Sequence, residues 1–205
     1  MQYGLAVSDN HYFDQNPKSA SNRQKVEVEL GGKAISVFTD SGVFSSQGVD
    51  KGTQILLNLS EFVAPEGKIM DLGSGWGAIS IHLAMVNPAL KIVAVEVNSR
   101  AVSLLDSNTR ELGLSTVTTR VLDEIEPNSI DQIWSNPPIR IGKNALHELL
   151  IAAFSKLKPK GEAFLVVQKH LGADSLAKWM EQEQGHGVEK IENSKGFRVF
   201  KVTKR

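Results

Sequence analysis

Polar and apolar positions change their spacing repeatedly along the chain, and each change marks an element. VEVEL (26–30) alternates strictly, KAISVFT (33–39) is rich in β-formers, and Gly31-Gly32 separates them. That arrangement predicts a hairpin closed by a two-residue turn. The stretch before it, HYFDQNPKSASNRQK, is polar and turn-rich and reads as an arm, and SGVFSSQG (41–48) reads as a loop. From Val49, the residues Ile55, Leu56, Leu59 and Phe62 return at helical spacing until Pro65 and Gly67 stop them.

Beyond residue 66, short apolar runs alternate with helical stripes. KIMDL (68–72), KIVAVEV (91–97), TVTTRVL (116–122), IDQIWSN (130–136) and EAFLVVQ (162–168) have the length and composition of strands. AISIHLAMV (78–86) reads as a buried helix. A second helix, capped by Asn98 or Ser99, carries Val102, Leu105 and Leu112 as far as Gly113. A third shows the stripe Leu146, Leu149, Leu150, Ala153 and Leu157 and ends at Pro159 and Gly161; Ser175 to Gln184 is a fourth. VEKIENS (188–194) and FRVFKVTK (197–204) flank Lys195-Gly196, a link too short for a crossover, so they pair antiparallel at a sheet edge. Alternating strands and helices build a parallel sheet from right-handed crossovers. The expected fold is α/β: an open doubly wound, mostly parallel sheet over residues 66–205 with an antiparallel C-terminal edge hairpin. The arm, hairpin and helix within residues 1–65 lean on it, making a single domain.

Composition narrows the chemistry. With 205 residues, 41% apolar and 22% charged, the chain can bury a full core without staples. It has no cysteine, which excludes disulfides, thiolate metal sites, cysteine nucleophiles and iron–sulfur clusters. Lys and Arg number 23, as do Asp and Glu, so a wholly basic nucleic-acid binder is excluded while a local basic patch is not. The N-terminus is not leader-like, and no run approaches the roughly 18 apolar residues of a membrane span. The expected location is cytoplasmic, with no membrane partner; the oligomeric state is left open. No pair among His11, His82, His147, His170 and His186 has metal-ligand spacing, so no metal is expected, and His82 reads as a core residue. Serine-hydrolase and P-loop motifs are absent.

The first core strand runs into Asp71-Leu-Gly73-Ser-Gly75-Trp-Gly77. Alternate glycines at a strand–helix junction let the backbone turn sharply and bring a ligand against the main chain, with helix-start N–H groups facing it. Glu96 closes the next strand 23 residues after Gly73, where a carboxylate can accept both hydroxyls of a ribose. With Ala78, the same glycines satisfy the dinucleotide fingerprint G-x-G-x-x-G/A, so an NAD-dependent oxidoreductase is one alternative. Asp71 leans against it: pointing into the turn, it would repel a pyrophosphate but could meet an amino acid's ammonium.

DLGSGWG followed by VAVEVN resembles the first two motifs of the Rossmann-like S-adenosylmethionine-dependent methyltransferases. The resemblance implies S-adenosyl-L-methionine as cofactor, a Rossmann-like sheet, Asp71, Gly73 and Gly75 against the methionine part, and Glu96 on the ribose. It also implies Asp123, in VLDE, beside the adenine; a cap for a short turn is the equal alternative.

The fourth core strand ends in Ser135-Asn136-Pro137-Pro138-Ile139-Arg140. Ligands of a doubly wound sheet lie beyond the carboxyl ends of its strands, so Asn136 faces the crevice of the glycine turn. The prolines remove two N–H donors and stiffen the backbone, leaving acceptors: the Asn136 side-chain oxygen and nearby carbonyls. An exocyclic amine is a poor nucleophile because its lone pair is delocalised into the ring. Two acceptors on its N–H bonds orient it and make it more tetrahedral. The turn resembles the (N/D)PP(Y/F/W) motif of methyltransferases acting on amino groups of adenine, guanine or glutamine, which implies Asn136 and the Pro137 carbonyl as the catalytic pair. Here Ile139 stands where the motif has its stacking aromatic, so Pro138 and Ile139 offer only apolar surface. Phe44 and Phe197 are candidate substitutes, core packing being the expected role of Phe197.

GK (142–143), VVQK (166–169), GFRVFK (196–201) and DSGVFS…VDKGTQILL extend the likeness. From about His11 onward the chain resembles the methyltransferase small domain family, which includes bacterial 16S rRNA guanine-N2 methyltransferases. The resemblance implies N-methyl transfer to the exocyclic amino group of a base in RNA, guanine N2 of 16S rRNA first, with rRNA or a ribosomal subunit as partner. Protein glutamine or DNA adenine is the alternative acceptor, and a non-catalytic RNA-binding subunit is a further one. Arg140, Lys143, Lys169 and His170 share one sheet end and, with Lys18, Arg23 and Lys25, would form a positive rim for phosphates. The basic residues among 195–205 read as protection of a β-edge.

Overall fold

The computed structural model describes residues 19–205; Lys18 and His11 lie outside the described residues. Strands β1 (Gln24–Leu30) and β2 (Lys33–Thr39) pair antiparallel around Gly31-Gly32. Both glycines take positive φ, 57° and 72°, as a two-residue hairpin turn requires. Gly31 meets a second constraint: a Cβ there would stand 2.6 Å from Cβ of Met85. The turn therefore lies directly on helix α2 (Ala78–Val86). The Gly31 N–H donates to Nδ1 of His82 at 3.2 Å, which needs a neutral ring, and burial holds His82 below the ordinary histidine range. His82, half-buried, thus ties the hairpin to the helix.

Helix α1 (Lys51–Leu57) is shorter than its apolar stripe implies, and Ser60–Phe62 forms a separate 3-10 turn. Gln132 holds the segment that follows. Its side chain accepts from the Ala64 N–H and donates to the Phe62 carbonyl, drawing residues 62–64 onto the sheet.

The main sheet holds β3 (Lys68–Leu72), β4 (Lys91–Val95), β5 (Val117–Arg120), β6 (Ile130–Ser135), β7 (Leu157–Gln168), β8 (Gly187–Ser194) and β9 (Phe197–Thr203). Their order is β5-β4-β3-β6-β7-β9-β8. The first five run parallel; β9 runs antiparallel to both β7 and β8. The C-terminal hairpin is at the edge, as its turn implied, with the last strand inside and β8 outermost. Burial decides this: Val199, Phe200 and Val202 of β9 are enclosed, whereas no residue of β8 is fully buried. Since β9 is no edge, its basic residues do not guard one. Arg198 pairs with Asp174, and Lys201 with Glu162.

Helix α4 (Lys143–Lys156) stops one residue before Leu157, which opens β7 by pairing with Ile130. The ladder is irregular just beyond, where Pro159 has no N–H to give. Both sheet faces are covered. Ile69, Ile92, Trp134, Phe164 and Val199 pack beneath the hairpin, α1, α2 and α3 (Ser99–Glu111). Met70, Val93, Ile133, Leu165 and Phe200 pack against α4 and α5 (Ala173–Lys178), which continues as a π-helical turn, Trp179–Glu183. Burial on two faces is why the central strands read as continuous apolar runs.

Strand order reverses between β3 and β6, so a crevice opens beyond their carboxyl ends. The Ser135 hydroxyl donates to the Leu72 carbonyl at 2.6 Å and pins the two ends together. Between β3 and α2, Gly77 sits at φ 103°, and a Cβ there would stand 2.2 Å from Cδ1 of Leu105. Gly77→Ala is expected to cost about 2–4 kcal/mol through backbone strain and overpacking. A lowered urea midpoint at unchanged m-value would show it; a wild-type midpoint would overturn the account.

Candidate active site

A cleft of about 1020 Å³ occupies the crevice, at the upper end of single-ligand pockets and roomy enough for two small molecules side by side. One wall is the glycine turn. Gly73 and Gly75 have φ of 75° and 56°, and a Cβ on either would meet nothing nearer than 3.9 Å. Their bare main chain therefore faces the cleft. The turn's own first three N–H groups, however, are engaged within the protein. Those of Gly73 and Ser74 both donate to the Val95 carbonyl, at 2.9 and 3.1 Å, and that of Gly75 donates to Oε2 of Glu96 at 2.9 Å.

Asp71 lies beneath the turn, fully buried and off the cleft wall. Its Oδ2 accepts from the Ser80 N–H at 2.9 Å and the Ser80 hydroxyl at 2.6 Å, so a β3 carboxylate caps the start of α2. Among the described residues its Oδ1 has no hydrogen-bond partner. Burial pushes the Asp71 carboxyl up to about 7, against the Ser80 bonds and with a further push from the Glu96 charge.

Glu96 stands on the wall with its carboxylate held by backbone. Oε1 accepts from Val97 and Asn98 N–H, at 2.8 and 2.9 Å, while Oε2 accepts from Gly75. A carboxylate offers about four acceptor sites, so one on Oε2 is left for a ligand hydroxyl. Apolar Leu72, Val95 and Val97 flank it. Asp123 is in the exposed 3-10 turn Leu122–Glu124 and is not part of this wall.

Opposite lies the turn after β6, where Asn136, Pro137, Pro138, Ile139 and Arg140 all line the cleft. The Asn136 amide nitrogen donates to both oxygens of Asp50, at 3.3 and 3.2 Å, and to the Thr53 hydroxyl at 3.1 Å. The Pro137 carbonyl accepts from Ile139 N–H at 2.8 Å and keeps a second lone pair. Ile139 is half-buried and packs into the core beneath α4. Phe44 is 46% exposed on the cleft's roof. Its loop is fixed by the Trp76 indole N–H on the Ser45 carbonyl (3.2 Å) and the Asn98 amide on the Gly42 carbonyl (2.8 Å). Phe197 both packs on the core and reaches the cleft.

The structure thus brings Phe44, Gly73, Gly75, Glu96 and Asn136 to Arg140 around one space. Lys143, at the start of α4, and Lys169 and His170, in the turn after β7, are exposed but off the wall. Arg23 lies over the Phe38 ring at 4.0 Å, with Lys25 nearby, away from the cleft. Sequence reasoning missed Asp50, Lys51 and Thr53. An acid just ahead of a helical stripe is an N-cap signal, which locates Asp50 but not its partner. Among the described residues, no cluster of metal-ligating side chains occurs, and no helix is long and apolar enough to cross a membrane.

A doubly wound sheet with a large cleft at its switch point defines a Rossmann-like fold of the cofactor-binding kind. The chain belongs to the methyltransferase small domain family, whose model matches residues 34–201. It is 33% identical over 198 residues to YbxB, an uncharacterized Bacillus subtilis protein, covering 95% of this chain and 98% of that one. It is 28% identical to ribosomal RNA large subunit methyltransferase G of Pseudomonas syringae pv. tomato, over all of this chain and 56% of the relative. It is also 28% identical to small subunit methyltransferase C of Erwinia tasmaniensis, over 94% of this chain and 56% of the relative. The chain therefore spans about half the length of these rRNA methyltransferases. The T. thermophilus 16S rRNA N2 methyltransferase RsmC, solved with AdoMet and guanosine, shares the fold, with a TM-score of 0.74 at 24% identity. That match covers 89% of this chain and 51% of the other.

Asp71 generates a pH prediction. Its carboxyl titrates near 3.8 when unfolded and near 7 when folded. Between those values the folded state holds a proton that the unfolded state has lost. This group's contribution is complete below the lower value and declines as pH rises to the upper one. In Asp71→Asn that decline is absent, so the variant's Tm is expected to gain on wild type as pH rises from about 4 to about 7. Parallel Tm profiles would refute the burial argument.

Proposed function

We propose that the protein is an S-adenosylmethionine-dependent N-methyltransferase acting on the exocyclic amino group of a base in RNA, with guanine N2 of 16S rRNA the first candidate. The observation that carries the reading is the acceptor turn. The Asn136 nitrogen is taken by Asp50 and Thr53, so Oδ1 is the amide atom left for a substrate, on the same cleft as the glycine turn and Glu96. Support comes from family membership, from relatives named as rRNA methyltransferases, and from the AdoMet and guanosine bound to the structural neighbour.

The chain's residues suit that cofactor. Gly73 and Gly75 offer close main-chain approach, Glu96 Oε2 an acceptor for a ribose hydroxyl, and Val95 and Val97 apolar cover. S-adenosylmethionine supplies an electrophilic methyl group when bound. Asn136 Oδ1 and the Pro137 carbonyl accept the two N–H bonds of the target amine and hold its lone pair in line, an orientation effect; the proton that the methylated nitrogen then sheds is released to solvent. Phe44 and Phe197 provide the aromatic surface that Ile139 lacks. Lys51 and Arg140 on the wall, with Lys143 and Lys169 beyond it, meet phosphates.

The test is incubation with methyl-labelled S-adenosylmethionine and undermethylated ribosomal subunits, followed by nucleoside analysis. Label in N2-methylguanosine is expected; label only in protein or DNA would move the acceptor to glutamine or adenine. Asn136→Ala should lower turnover by about 100-fold or more while S-adenosylhomocysteine affinity holds within about twofold, since only the amine contact is lost. Glu96→Ala should weaken that affinity by about tenfold or more, the worth of a charged hydrogen bond. Unchanged calorimetric binding would contradict the role of Glu96.

A further inference from the structure

We infer that Asp50 and Thr53 are positioning residues that lock the Asn136 amide in the one orientation able to accept a substrate amine. The inference rests on the reading of Asn136 given above. An asparagine amide has two faces of opposite character, an acceptor oxygen and a donor nitrogen, and a half-turn about its last bond exchanges them. Either face could meet the cleft. An ionised carboxylate has only acceptor capacity, so the side of the amide facing Asp50 must be the nitrogen. The flipped amide would set Oδ1 against two carboxylate oxygens at 3.2–3.3 Å, pairing acceptor with acceptor. Thr53, only 4% exposed, takes the same nitrogen at 3.1 Å.

Asp50 is itself held fast. It is the N-cap of α1, its Oδ1 accepting from Gly52 N–H at 2.9 Å and Thr53 N–H at 3.4 Å. The helix start is seated in turn: a Cβ on Gly52 would be 2.8 Å from the Phe197 ring. The carboxylate also draws positive character into the amide N–H bonds, which leaves more negative charge on Oδ1 and makes it a stronger acceptor. Asp50 therefore acts through Asn136 in two ways, by orientation and by polarisation.

Asp50→Asn separates this role from capping, because Asn caps a helix as well as Asp does but can turn its own NH2 toward Asn136 and admit the flipped amide. The expected result is a fall in kcat of about 10- to 100-fold, with KM for RNA, S-adenosylhomocysteine affinity and Tm near wild type. Thr53→Val should show a smaller fall that Thr53→Ser restores. The Asn136 side-chain amide pair in ¹⁵N–¹H spectra, assigned by its loss in Asn136→Ala, should move in both Asp50→Asn and Thr53→Val. Wild-type kcat in Asp50→Asn, a loss of cofactor affinity that parallels the loss of rate, or an unmoved amide pair would each overturn the inference. If the wild-type protein methylates no RNA, the functional reading fails, while the amide signals still decide whether Asp50 orients Asn136.

Discussion

Two neighbouring parallel strands whose crossovers leave on opposite faces of a sheet cannot both be roofed by their own helices. The space beyond their carboxyl ends stays open, lined by main chain and by whatever residues terminate the strands. Here those strands are β3 and β6, paired in parallel up to Asp71 and Trp134, and the Ser135 hydroxyl extends that pairing by donating to the Leu72 carbonyl. The glycine turn leaves one end and the Asn-Pro-Pro turn leaves the other. Every contact proposed between cofactor and acceptor depends on that adjacency, and most of the molecule exists to hold it rigid.

Three carboxylates around the cleft show how environment divides labour among identical groups. Asp71 is enclosed, tends to keep its proton and caps α2 from the neighbouring strand. Glu96 is clamped by three backbone N–H groups and shows one free acceptor site to the cleft. Asp50 caps α1 with one oxygen and, with both, faces the Asn136 amide. None of these roles follows from residue type alone. Each is set by how many donors the backbone brings to the carboxylate and by how much water it excludes.

On the acceptor side, Ile139 is half-buried, packing against the core while it also lines the cleft. The aromatic surface at the cleft comes from distant parts of the chain, Phe44 on a loop tethered to Trp76 and Asn98, and Phe197 at the start of β9. That arrangement separates the chain from the aromatic Asn-Pro-Pro pattern while keeping its Asn136-Pro137-Pro138 sequence.

The order of strands and helices, the hairpin at Gly31-Gly32 and the glycine turn were legible in the sequence because each depends on residues within one window: period, cap and turn chemistry are local. So was the meeting of the glycine turn with Asn136, since topology rules carry strand ends to one edge. The rest required tertiary structure. The insertion of β9 inside β8 depends on which strand can bury both faces. The withdrawal of Asp71 beneath the turn and the exposure of Asp123 depend on packing depth, which spacing does not record. The contact between Asp50 and Asn136 spans 86 residues. Only the fold sets a donor against an acceptor across that distance, because hydrogen bonds are decided by positions in space and not by separation along the chain.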